Sequence, residues 1–91
     1  MRKSFMQTRG GNYTKDQCIV YDSEYTLFVS YDTVIVKTTF VDGIRVVYLD
    51  EEYYNYSNTT IRYRNEFLGE TSAEVNKKIK DGTYLLTNLN K

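Results

Sequence analysis

Tyr56-Ser57-Asn58-Thr59-Thr60-Ile61-Arg62-Tyr63-Arg64-Asn65-Glu66-Phe67-Leu68-Gly69-Glu70-Thr71-Ser72-Ala73-Glu74 is the stretch that decides the fold. Ser57 or Asn58 can accept a bond from an orphan N–H and so cap a helix, while Gly69 supplies the left-handed residue that stops it. The spacing therefore predicts a helix of about ten residues between them, with Ile61, Phe67 and Leu68 facing inward. Thr71 and Glu74 then have the spacing of a capping box, which opens a second helix. Val75 and Ile79 form its apolar stripe, and Gly82 ends it.

The chain before this point reads as β-structure. Thr33–Val41 and Ile44–Leu49 are β-branched runs separated by Asp42-Gly43, the pair favoured where a tight hairpin turn needs positive φ twice. With Val41 opposite Ile44, one face collects Val34, Val36, Thr38, Phe40, Val47 and Leu49. The other carries Ile35, Lys37, Thr39, Val46 and Tyr48. The first face is expected to be the core. Gln17–Tyr21 and Tyr25–Tyr31 are read as earlier strands, and Thr83–Leu86 as a closing strand on the sheet edge. Residues 1–16 are polar, with Gly10-Gly11 in their middle, and are expected to form a flexible N-terminal arm; the last five residues are expected to be a tail. The expected class is α+β: a small antiparallel sheet of about three to five strands, followed by two short helices packed on one face. Residues 17–91 would form the single domain.

Composition removes several kinds of function. The chain has no histidine and one cysteine, which leaves no Ser-His-Asp or Cys-His arrangement and no structural zinc site. No glycine-rich phosphate loop is present. The chain is accordingly expected not to be an enzyme and to use neither cofactor nor metal. Lysine plus arginine and aspartate plus glutamate both number twelve, so the long-range attraction behind non-specific DNA binding is missing overall. The opening Met1-Arg2-Lys3 has no apolar run behind it, and no segment has the length of a membrane span. An intracellular protein is expected, with Cys18 as a small buried strand residue.

Ten tyrosines against four phenylalanines are the compositional anomaly. Such rings suit a half-buried sheet or an aromatic contact surface. Three surface features follow. Asp50, Glu51, Glu52, Tyr53, Tyr54 and Tyr56 form an acidic-aromatic run. Its carboxylates could mimic nucleic-acid phosphates in the basic groove of another protein, while the tyrosines add rigid contact area; an ordinary polar connection is the competing reading. The helical pair 58–82 has a superficial helix-turn-helix look, in which Arg62, Arg64 and Asn65 could read bases and Lys77 and Lys78 could meet phosphate; there the competing reading is a charged face in water. The basic residues of the arm could reach an anionic partner.

The segment from Val47-Tyr48-Leu49 through Tyr56–Thr71 to Lys80-Asp81-Gly82-Thr83-Tyr84 resembles a group of small uncharacterised accessory proteins of phages infecting Gram-positive bacteria. In that group a tyrosine-rich strand end leads into a Tyr-Ser-x-Thr-Thr helix, then Phe-Leu-Gly and a short second helix. The resemblance covers the C-terminal half and does not reach the first forty residues. Tyr63 stands where the group has histidine, so no role of that histidine transfers. The resemblance implies expression in the cytoplasm of an infected bacterium. The expected function is binding and inhibition of a host protein, such as a CRISPR effector or another defence nuclease. The alternative is a small DNA-binding accessory or regulatory protein using the helical pair. A virion component, which would form a stable oligomer, is a third reading.

Overall fold

The computed structural model describes all 91 residues, Met1–Lys91. Its elements run β1 (Arg2–Gln7), β2 (Tyr13–Tyr21), β3 (Tyr25–Ser30), β4 (Thr33–Val41), β5 (Ile44–Asp50), α1 (Asn58–Leu68), α2 (Ser72–Lys80) and β6 (Tyr84–Thr87). The six strands lie in sequence order in one sheet. The first five form an antiparallel meander, and β6 returns through both helices to pair parallel with β5. The architecture is α+β with the helices on one sheet face.

Residues 1–16 are not a loose arm. They supply β1 and the start of β2, with Arg2 opposite Tyr21 and Gln7 opposite Tyr13. Met6 lies in the core. An edge strand needs only backbone partners on one side and can be polar in sequence, so composition conceals it. The sheet accordingly has six strands rather than three to five.

The Asp42-Gly43 turn forms as its chemistry requires, with φ of 53° and 79°, and sets Val41 opposite Ile44. Val36, Val47 and Leu49 are buried as expected, but the assignments of Ile35, Val34 and Phe40 change. Phe28 pairs with Val36 while Val29 pairs with Val34, which leaves Ile35 as the extra residue of a β-bulge. The bulge turns Ile35 into the core beside Val36. Val34 moves with Val29 and is only half-buried. Phe40, expected inside, is 69% exposed. It stands at the hairpin tip opposite Arg45, away from the helix-packed cluster around Phe28, Val36 and Leu49.

Both helix starts and the glycine stop are realised. Ser57 is the α1 N-cap and accepts from the Thr60 N–H at 3.1 Å. Gly69 has φ 68°. Gly69 N–H donates to the Glu66 carbonyl and Glu70 N–H to the Asn65 carbonyl, the paired bonds of a Schellman stop. At α2, Glu74 N–H donates to Thr71 Oγ1 and Thr71 N–H to Glu74 Oε1. The Thr71 backbone bond holds the Glu74 carboxyl below its ordinary range.

Helix α1 turns Thr60, Tyr63 and Phe67 towards the sheet, while buried Arg64 faces the preceding turn and α2. Tyr63 occupies the core position that Ile61 was expected to take. Phe67 stacks on Phe28 with ring centroids 5.8 Å apart, and Val75 of α2 completes the layer. No helix is long and apolar enough to cross a membrane.

Candidate functional site

Strand β5 ends at Asp50, and the chain then makes the acidic-aromatic turn that leads into α1. Asp50 itself is buried. Its Oδ2 accepts from the N–H groups of Glu52 (3.2 Å) and Tyr53 (2.9 Å). Its Oδ1 accepts from Leu89 N–H at 2.9 Å. The side chain thus satisfies three backbone donors and folds the turn over the strand end. Glu51 N–H donates to the Thr87 carbonyl, extending the β5–β6 pairing by one bond. Asp50 was expected to meet a partner; instead it shapes the surface from beneath.

The far end of the turn is held by a second buried charge. Arg64 is fully buried, and its guanidinium meets four neutral oxygens. Nη1 donates to the Tyr54 carbonyl (2.9 Å) and Asn55 Oδ1 (2.6 Å). Nε and Nη2 donate to Asn65 Oδ1, and Nη2 reaches Ser72 Oγ at 3.4 Å. Burial pushes its pKa below the ordinary arginine value. Arg64 joins the turn, α1 and the first residue of α2 through the planar fork that suits guanidinium to several acceptors.

Between these clamps, Tyr53 and Tyr54 are half-buried against the core. Glu51, Glu52 and Tyr56 remain outward, with Tyr56 63% exposed. Tyr56 packs edge-on against Tyr53, ring centroids 5.7 Å apart. Of the six residues picked from sequence, three therefore form an exposed acidic-aromatic surface, two support it and one builds it.

The second set of candidates is mostly engaged within the molecule. Arg64 cannot reach a phosphate. Asn65 accepts from Arg64 and donates to Ser72 Oγ at 2.9 Å. Lys78 is paired with Glu70, which also accepts from the Tyr84 hydroxyl. That pairing holds the Lys78 pKa up, while burial followed by the Glu70 bond does the same for the Tyr84 phenol. Arg62 lies over the ring of Tyr63, 4.8 Å from its centroid. Lys77 alone of the five is exposed without such a contact.

Sequence reasoning missed Tyr31. It was placed at the end of a strand, yet β3 stops at Ser30, and Tyr31 and Asp32 form a two-residue turn with φ 50° and 62°. Asp tolerates the left-handed region; tyrosine costs about 1–2 kcal/mol there. The strained residue is 46% exposed and borders a shallow depression of about 400 Å³ with Tyr56, Ser57 and Thr59. The Tyr-Asp pair between two β-runs was the available signal, masked by the high β-propensity of tyrosine. Tyr31→Asn is expected to raise stability by about 1 kcal/mol, read as a higher urea midpoint with an unchanged slope. A lower midpoint would show that the ring contributes more through packing than the backbone loses.

Cys18 is buried as expected, and burial raises its thiol pKa. No group of three Cys, Asp or Glu residues converges to hold a metal. A six-stranded sheet with two helices on one face, and a pinned acidic-aromatic turn at its edge, defines a small α+β domain with a preorganised surface. The chain belongs to the family of unknown function DUF8033, whose model matches residues 2–82. That span takes in β1 and β2, beyond the C-terminal half on which the phage-protein resemblance rests. No curated protein and no solved structure matches the chain.

Proposed function

We propose that this protein is a non-enzymatic, phage-encoded binding module that captures a host protein and blocks it. A defence nuclease such as a CRISPR effector, with a basic nucleic-acid groove, is the partner that best fits its exposed chemistry. One observation carries the reading: the 51–56 turn is held between buried Asp50 and buried Arg64 while presenting Glu51, Glu52 and Tyr56 to solvent. A turn ordered before binding loses little entropy on association, and carboxylates beside a tyrosine offer both steering and a desolvated anchor. Tyr31 extends the aromatic part across the neighbouring depression. The DNA-binding alternative has weaker support, because Arg64, Asn65 and Lys78 already have internal partners.

The test is capture of purified candidate nucleases on the immobilised protein. Tyr56→Ala and Glu52→Lys are expected to weaken capture at least about tenfold, equivalent to about 1.4 kcal/mol each, without lowering the melting temperature. Added nucleic acid should compete. Undiminished capture by both variants would refute this surface, and a salt-sensitive shift of duplex DNA by the protein alone would favour the alternative.

A further inference from the structure

The two edges of the sheet are built differently. The β1 edge carries Arg2 and Lys3 and is broken by an irregularity between Phe5 and Gln7, devices that discourage another strand from adding. The β6 edge has neither. Tyr84-Leu85-Leu86-Thr87 is uncharged and pairs on one side only, with Leu85 43% and Leu86 41% exposed. Alternation places these leucines on opposite faces, so both faces of the free edge are apolar.

Charge is also graded along this edge. Because β5 and β6 are parallel, their starts lie together and so do their ends. At the starts are Arg45 and, one tight turn before Tyr84, Lys80; both are exposed. Asp81 lies there too, with its carboxylate bonded to Thr83 N–H. At the ends are exposed Glu51 and Glu52, with Glu51 tied by its N–H to the Thr87 carbonyl. None of Arg45, Lys80, Glu51 or Glu52 forms an ion pair within the chain. An antiparallel partner strand would reverse this gradient, bringing basic end to acidic end.

We propose that β6 is a self-association edge, on which a second copy of this chain pairs its own β6 antiparallel about a twofold axis through Leu85 or Leu86. The two sheets become one continuous sheet. The leucines meet across the axis, and Lys80 of each copy, at the turn into β6, comes to the level of Glu51 and Glu52 of the other, with Arg45 one strand further in. Such an interface is isologous and closes at two copies. A four-residue strand buries little area, so the dimer is weak and reversible, with a dissociation constant on the order of 10 µM. Glu51 and Glu52 also belong to the host-protein surface, but the dimer is carried by the strand edge and does not depend on that reading.

Sedimentation velocity of the full chain from about 1 µM to about 500 µM tests this. A monomer–dimer equilibrium is expected, weakening with salt as exposed ion pairs are screened. Leu86→Lys is expected to raise the dissociation constant at least about tenfold. Leu85→Lys, on the other face, provides the same test if the first variant folds poorly by circular dichroism. Lys80→Glu and Glu51→Lys should each weaken the dimer about tenfold; combined in one chain they swap one charge between the two ends, re-form the Lys–Glu pairing in reverse and should restore it. A native protein that stays monomeric throughout, a dimer indifferent to both leucine variants, or a double variant as weak as the single ones would overturn the proposal. The folded Leu86→Lys monomer should still capture the host protein, so loss of dimerisation and loss of capture are separable.

Discussion

Arg64→Leu is expected to lower the stability of the domain by about 3–5 kcal/mol, a large share of what a chain of this size possesses. Leucine fills part of the volume but offers no donor. The Tyr54 carbonyl, the Asn55 and Asn65 amide oxygens and Ser72 Oγ would all lose the guanidinium. Hydrogen bonds to a charged group contribute more than neutral ones, and the turn and the α1–α2 junction are lost together because one side chain holds both. Urea unfolding followed by far-ultraviolet circular dichroism measures this, since the chain contains no tryptophan. Arg64→Lys should rescue only a small part, because an ammonium is a point donor and cannot span acceptors on three segments. A loss below about 1 kcal/mol for Arg64→Leu would show that the buried cation is dispensable.

Asp50→Ala is the second large effect, at about 2–4 kcal/mol, because it deprives three backbone N–H groups of their acceptor at once. Asp50→Asn is expected to fall between. One amide oxygen can still receive Glu52 and Tyr53, but the amide nitrogen then opposes the N–H of Leu89. Hydrogen exchange at Leu89 should therefore accelerate more than at Tyr53 in the Asn variant, and both should accelerate in the Ala variant. Equal protection at the two positions in every variant would contradict this division of labour. The tail has a further tie: the Asn90 side chain accepts from Val34 N–H at 2.8 Å and donates to the Val34 carbonyl at 3.0 Å. The last five residues, read from the sequence as a tail, are thus attached to the sheet through Leu89 and Asn90.

Both predictions concern charged residues that a sequence reading naturally puts in water. Asp50 was selected as a contact because it heads an acidic run, and Arg64 because it lies on a charged helix. Their actual environments depend on backbone donors and acceptors from segments distant in sequence, Leu89 for one and Tyr54 and Ser72 for the other. Burial of Asp50 removes one residue from the proposed contact surface and leaves the exposed Glu51, Glu52 and Tyr56 on a fixed frame. Tyr31 joins them through a turn that its own propensity conceals. Its strained conformation beside Tyr56 is a local cost that fits the proposed contact surface.

Local chemistry alone determined the caps, the stops and the tight hairpin. Ser57, Gly69, the Thr71–Glu74 box and Asp42-Gly43 act through bonds and dihedral preferences spanning at most a few residues, so the string of residues contains everything needed to read them. Tertiary structure decided which side of β4 holds Ile35, whether Phe40 is covered, that the polar start is a strand, and that Asp50 and Arg64 lie inside. Each of these depends on an alignment between segments far apart in the chain: a one-residue bulge against β3, the reach of two helices over the sheet, pairing with β2, and convergence of the turn, α1 and the tail. A one-residue change of register reverses the faces of a strand, and no composition or periodicity within that strand records it.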